Sequence, residues 1–249
     1  MTKLRIGFSP CPNDTFIFDA LIHGKIDTEG LEFDACMADV EELNLMAFRG
    51  ELDITKLSYH AFLHILEEYV MMDSGSALGN NCGPLLIKNV GDKNPIESDL
   101  IAIPGKYTTA NFLLNYAFPK LQNKQEILFS DIESAIKNKQ VSAGLIIHEN
   151  RFTYADRGFE KVKDLGEDWE QSTGMPIPLG GIAIKRNFDK ALQEKVQRLI
   201  RKSIEFAFNN PLESLEYVKL NAQEMDAEVM QKHINLYVND YSLSLGEKG

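Results

Sequence analysis

The sequence predicts an α/β fold arranged in two lobes. Three observations carry that expectation. Strand-like runs of four to eight residues alternate with helical stretches of about ten residues, the pattern of strands paired mostly in parallel. Two strand-like stretches, "CGPLLIK" and "PIPLGGIAIK", flank a middle block at about 92–175, so the chain leaves one lobe, builds another and returns. The 249 residues are 44% hydrophobic and 25% charged, which supplies core for one large domain or two small ones.

The strands are expected at 4–9 ("LRIGFS"), 31–38, 52–58, 83–88, 99–104, 126–130 ("EILFS"), 143–149 ("AGLIIHE") and 180–185. Between them lie helical stretches: "DTFIFDALIHG", "DVEELNLMAFRG", "SYHAFLHILEEY", "TTANFLLNYAF" and "DIESAIKNKQ". Asp39 with Glu42, and Ser130 with Glu133, carry helix-capping spacing. After residue 186 the pattern is helical, and "FDKALQEKVQRLIRKSIEFAF" is apolar on one face and basic on another. Pro211 suits the first turn of the next helix. The lobes are expected as 1–88 with 180–249, and 92–175, with crossings near 84–92 and 174–182.

Composition excludes several functions. A formal net charge of -11 and the lack of a basic cluster argue against nucleic-acid binding, although local amides and single cations still suit a small anion. No run of about 18 apolar residues is present to span a membrane, and "MTKLRIGFSPCPNDTF" is no secretory signal. Cys11, Cys36 and Cys82 are too scattered for a disulfide framework or a metal site, which fits reduced thiols in a cytoplasm. "GSALGNNCGP" is glycine-rich but fits no phosphate-loop spacing.

In parallel α/β sheets, ligands sit beyond the carboxyl ends of strands. Four such ends are rich in polar groups. "FSPCPNDTF" holds Ser9, Asn13, Asp14 and Thr15, and "DITKLSYHAF" holds Lys56 and Ser58. "PGKYTTANFLL" opens a helix at Thr108, Thr109 and Ala110, where free amides suit a carboxylate or phosphate. "IIHENRFTY" brings His148 to the end of a buried run. Each also has a plain structural reading. Ser58, Thr108 and Thr109 fit as helix caps, Asn13 and Asp14 as turn residues, and Lys56 as a solvated lysine. Cys11 stands at a helix start, where thiols turn nucleophilic, but no histidine adjoins it. His60 and His64 share a helix face at i and i+4, yet the glutamate that zinc proteases place between such a pair is missing. His23 and His233 are expected on outer helical segments. His148 is either a base, as an imidazole near neutral pH can be, or a histidine ending a strand.

Taken together, "FSPCPNDTFIFDALIHG", "DVEELN", "LDITKLSYHA", "SGSALGNNCGPLL", "PGKYTTANFLL", "AGLIIHENRFTY" and "DLGEDWEQSTGMPIPLGGIAIKR" resemble the 1,4-dihydroxy-6-naphthoate synthases of the futalosine-dependent route to menaquinone. The likeness runs in the same order from about residue 4 to the end. It implies a fold like the type 2 periplasmic binding proteins, two α/β lobes with a ligand cleft between them. It also implies a lyase that converts cyclic dehypoxanthine futalosine to 1,4-dihydroxy-6-naphthoate by breaking a carbon–carbon bond, with no cofactor and no metal. The family's histidine base matches His148. Its substrate-contacting strand end matches Lys56, Leu57 and Ser58, and its threonine-rich turn matches Thr108, Thr109 and Ala110. The partner implied is a small-molecule carboxylate substrate. The family's chains continue past the block matching "VNDYSLSLGEKG" with a further helix, whereas this sequence ends at Gly249.

Two rival readings share the fold. One is a solute-binding or sensor module; the other is the related chorismate dehydratase, against which "SPCPNDTF" and "IIHENRFTY" speak.

Overall fold

The computed structural model describes residues 2–222, 226–247 and 249. The chain divides into two compact units, Met1–Gly79 with Pro178–Gly249, and Asn80–Ile177. The first stretch supplies strands β1 (Thr2–Phe8), β2 (Leu31–Met37), β3 (Ile54–Ser58), β4 (Tyr69–Met71) and β5 (Ala77–Gly79). It also holds helices α1 (Pro12–Ile22), α2 (Val40–Phe48) and α3 (Tyr59–Phe62). The second unit holds β6 (Leu85–Asn89), β7 (Ile101–Ile103), β8 (Lys124–Glu126), β9 (Ala143–Ile146) and β10 (Phe159–Asp164). Its helices are α4 (Thr109–Ala117), α5 (Ile132–Lys137), α6 (Asn150–Thr153) and α7 (Leu165–Thr173). The returning chain adds β11 (Ile177–Lys185), then α8 (Lys190–Asn209), α9 (Leu215–Asn221), α10 (Ala227–Tyr237) and α11 (Asp240–Leu243).

The first unit is built on a mixed sheet of order β2-β1-β3-β11-β4, with β5 beside β11. Strand β1 runs parallel to both β2 and β3, while β11 runs against β3 and β4. Its core joins Leu4, Ile6 and Phe8 of β1 to Ile17, Phe18 and Leu21 of α1 and to Leu199, Ile200 and Ile204 of α8. The rings of Phe8 and Phe18 stack at 4.6 Å. Helix α8 earns its place by spacing: Val196, Leu199, Ile200, Ser203, Ile204 and Ala207 are its buried residues and form one stripe. Asp189 caps its start by accepting from the amide of Leu192. Ser203 lies in that stripe because its hydroxyl works inside it, donating to the carbonyl of Ile17 at 2.6 Å and accepting from the amide of Leu21.

The second unit has a five-stranded sheet of order β10-β6-β9-β7-β8. Strand β7 pairs in parallel with β8 and β9, and β6 runs against β9 and β10. Leu85, Ile87, Ala102, Ile132, Ile136, Ile146 and Phe159 pack into its own core.

The expected preponderance of parallel pairing is therefore corrected: β6, β10 and β11 all pair antiparallel. Apolar runs record which strands are buried, and a buried strand reads alike in either direction. Strands β4, β5 and β10 were not expected. The strand at 126–130 is not formed; Phe129–Asp131 is a 3-10 turn, and "ILF" is apolar because Phe129 is buried from that turn while Leu128 stays exposed. The helix expected over "SYHAFLHILEEY" stops after Phe62, because Leu63 and Leu66 are exposed and leave no continuous buried stripe. Pro211 lies in the turn ahead of α9, which opens later at Leu215. Asp39 caps α2 by accepting from the amides of Glu41 and Glu42. Ser130 does not cap α5: it bonds to Asp131, and Glu133 turns to Asn150 and Arg157 instead. Among the described residues no helix is long and apolar enough to cross a membrane.

Candidate functional site

In the second unit, β7 and β9 are neighbours running the same way, with Ala102 opposite Gly144. The segments that leave their carboxyl ends therefore emerge at one edge of the sheet. One carries Thr108–Ala110, the other His148. Thr108 is the N-cap of α4, accepting from the amide of Asn111 at 3.2 Å and donating to the carbonyl of Gly105 at 2.8 Å. Thr109 and Ala110, both buried, form the first turn of a nine-residue helix, at its positive end. The side chain of Asn111 bonds back to the carbonyl of Lys106 and accepts from Lys124, which stiffens the turn. Burial in turn lowers the pKa of the Lys124 ammonium.

Strand β9 ends at Ile146, two residues before His148, so the expected strand over 143–149 is shorter. His148 is half-buried and has φ of 57°, in the left-handed region that a non-glycine residue enters only at a cost of about 1–3 kcal/mol. The surroundings hold it there. On one side the ring of Phe129 meets the imidazole edge-on at 5.0 Å. On the other, the residues that follow are tied down. Asn150 donates to Glu133, and Arg151 bonds to the carbonyl of Gly83 and to Asp164 at 3.1 Å. Asp164 is itself fixed as the N-cap of α7. Strain at a position fastened from both sides is a common mark of a functional residue.

In the first unit, the parallel pair β1 and β3 likewise brings two segments to one edge. All five residues of β3 are buried, including Lys56. The solvated reading of Lys56 is thereby overturned. Its Nζ lies 3.2 Å from Asp14 Oδ1 and donates to the carbonyl of Gly75 at 3.1 Å. Asp14 also accepts from the Ser9 hydroxyl at 2.7 Å, from the Ser9 amide and from Asn13 Nδ2 at 2.8 Å. Asn13 and Asp14 lie in the first turn of α1, not in a separate turn. Cys11 is the N-cap of that helix and is buried.

Leu57 belongs wholly to the core. Ser58 makes no side-chain cap for α3, which is a single turn. Its amide donates to Asn44 Oδ1 at 2.9 Å and its hydroxyl accepts from Asn44 Nδ2 at 3.3 Å. Ser58 therefore offers no free helix-start amide. Asn44 was missed, although a polar residue amid the apolar run "LNLM" was a signal. His233 was misread more seriously. It is fully buried, and its Nε2 meets Asn13 Oδ1 at 2.8 Å. The spacing of Met230, His233, Ile234 and Tyr237 puts it on the buried stripe of α10, and that was legible. His60 and His64 have ring centres 5.4 Å apart. Among the described residues, no group of three His, Cys, Asp or Glu is placed to hold a metal ion.

A family model described as "Menaquinone biosynthesis" matches residues 4–249. A 1,4-dihydroxy-6-naphthoate synthase of Thermus thermophilus is 42% identical over 249 residues, spanning 100% of this chain and 90% of the relative. That of Streptomyces coelicolor is 39% identical over 251 residues, spanning 99% and 88%. A crystal structure of an Archaeoglobus fulgidus protein superposes with a TM-score of 0.90 at 37% identity, covering 99% of this chain and 92% of that one. At 12% identity, a Candida albicans protein described as having the generic periplasmic binding protein fold superposes with a TM-score of 0.72, over 98% and 83%. The fold is thus that of the periplasmic binding proteins, and the chain belongs to the menaquinone biosynthesis family, among its 1,4-dihydroxy-6-naphthoate synthases.

Proposed function

We propose that the chain is a carbon–carbon lyase acting on cyclic dehypoxanthine futalosine, with His148 as its general base. The observation that carries this reading is the imidazole held at the carboxyl edge of β9 with φ of 57°, between Phe129 and a firmly tied α6, in a chain so close to two named synthases. His148 takes a proton from the substrate. The electron pair left behind flows towards the departing sugar-derived fragment as the carbon–carbon bond breaks, and the aromatic ring of 1,4-dihydroxy-6-naphthoate forms. Oxidation states balance within the substrate, so no electron acceptor is consumed.

Binding in this reading falls to two groups of residues. The first turn of α4, at Thr108, Thr109 and Ala110, offers the positive end of a helix to the substrate carboxylate. In the first unit, the strand end Lys56–Ser58 contacts substrate through Lys56, with Leu57 held in the core and Ser58 held by Asn44. An ammonium has three N–H groups, and Asp14 and Gly75 engage two of those of Lys56, which leaves one for substrate.

The test is turnover of cyclic dehypoxanthine futalosine by the purified protein, followed as dihydroxynaphthoate. His148→Ala is expected to lower kcat by a factor of ~10² or more while the melting curve stays unchanged. For the unaltered protein, kcat/KM should rise with pH as the base loses its proton, since only the neutral imidazole accepts one. Near-normal kcat in folded His148→Ala sinks the assignment. Binding of the substrate with no product at any pH favours a solute-binding module instead.

A further inference from the structure

The buried histidine of α10 has no part in the mechanism above, yet it ends a chain of polar contacts that reaches Lys56. We infer that His233 is a positioning residue, acting through Asn13 and Asp14 to fix the ammonium of Lys56 for substrate; this rests on the substrate role given to Lys56 above. The protons can be assigned along the chain. Asp14 presents only acceptors, so the Asn13 group 2.8 Å from it is the Nδ2 donor. The carbonyl Oδ1 of Asn13 then faces His233, and Nε2 of the imidazole must donate to it across 2.8 Å. The sequence of contacts is therefore His233 Nε2–H to Asn13 Oδ1, Asn13 Nδ2–H to Asp14 Oδ1, and Asp14 Oδ1 to Lys56 Nζ at 3.2 Å.

Every member is buried: His233 is 0% exposed, Asp14 1%, and Asn13 and Lys56 6% each. Water does not readily substitute for a lost partner at that depth, and a buried polar network transmits the placement of one member to the next. The imidazole is itself set by its place on α10 between core residues Met230 and Ile234, with the Tyr237 ring 4.5 Å away. The other acceptor of Lys56 is anchored from the same stretch of chain. The amide of Gly75 donates to the carbonyl of Ser242 at 2.7 Å, and the Ser242 hydroxyl donates to the carbonyl of Ser76 at 2.8 Å. The segment from α10 to α11 thus governs both groups that aim Lys56, though it follows Lys56 by far in sequence.

The experiment is a double-mutant comparison with cyclic dehypoxanthine futalosine as substrate. His233→Leu removes the donor, whereas His233→Gln retains an N–H able to reach Asn13. His233→Leu is expected to raise KM about tenfold with kcat within roughly twofold, the scale of one lost buried hydrogen bond. His233→Gln should restore most of that loss. Asn13→Ala breaks the same chain at its next link, should raise KM similarly, and serves if His233→Leu does not fold. In a Lys56→Met background, which itself should raise KM, neither change should raise it further. A folded His233→Leu, or Asn13→Ala, with unaltered KM overturns the inference, and so does an equal rise in the Lys56→Met background. Unaltered KM in Lys56→Met alone instead overturns the substrate role of Lys56.

Discussion

Lys56 lies in a strand whose five residues are all buried, and such a cation needs its counter-charge supplied by the fold. Asp14 provides it, and Asp14 in turn is satisfied by Ser9 and Asn13, so no member can be removed singly without leaving a buried charge short of partners. Removing one partner of a buried pair typically costs about 3–5 kcal/mol, far above the median for an exposed pair. Cys82 shows the opposite solution to burial, neutrality. Loss of hydration at this buried position pushes its thiol up to about 12, so at ordinary pH it carries its proton. Only the thiolate attacks alkylating reagents. Iodoacetamide at pH 8 is therefore expected to modify Cys36, which is partly exposed, well before Cys82, with peptide mass spectrometry as the measurement. Cys82 modified as fast as Cys36 in folded protein would contradict its burial. In denaturant the two should react alike.

Two glycines decide how the elements of the second unit join. Gly83 precedes β6 and Gly166 is the second residue of α7, and the backbones meet so closely that a Cβ on Gly83 would sit 2.3 Å from the Cα of Gly166. A Cβ on Gly166 would likewise come within 2.6 Å of the Cα of Gly83. Because backbone faces backbone, no side chain can swing aside. Gly83→Ala is expected to cost about 3 kcal/mol and lower Tm by on the order of 10 °C, checked by thermal denaturation. A melting curve unchanged in Gly83→Ala would mean the two elements separate readily. The Arg151 bond to the Gly83 carbonyl links this contact to the segment after His148, so kcat should fall in the same variant. None of this closeness is legible in "CGPLLIK" or "DLGEDW", because a glycine records freedom of approach but not what approaches. Element type was legible where one face is buried: the stripe of α8 and the strands β1, β2 and β3 follow their apolar spacing. Position beyond a strand end was legible for His148 and Thr108, whereas Lys56 lies in the middle of β3, paired with Ile182. What failed had a common cause. "EILFS" and "SYHAFLHILEEY" carry apolar residues that pack from turns, and His233, whose place on the buried stripe was legible from its spacing, has a polar partner, Asn13, too far away in sequence to be read.

At the scale of the molecule, the two units differ in how the chain supplies them. Asn80–Ile177 is one continuous stretch, and all five strands of its sheet, β10-β6-β9-β7-β8, lie within it. Its core draws on Leu85, Ile87, Ile132, Ile136, Ile146 and Phe159, and among the described residues every member of that core lies within those bounds. The first unit needs both ends of the chain. In its sheet order β2-β1-β3-β11-β4, the strand between β3 and β4 comes from the returning segment, and α1 packs in a core shared with Leu199, Ile200 and Ile204 of α8. A fragment ending at Gly79 therefore lacks a central strand and the helix that covers its apolar side. Expressed alone, 80–177 is expected to unfold cooperatively on heating and to give dispersed amide resonances, near the size at which a single core suffices. The 1–79 fragment is expected to be unfolded or aggregated, with an open strand edge and uncovered apolar surface. Circular dichroism melts and proton–nitrogen correlation spectra of the two fragments decide it. A molten 80–177 fragment that binds hydrophobic dye would show that its core depends on the rest of the chain. A well-folded 1–79 fragment would show that β11 and α8 are dispensable to the sheet they complete.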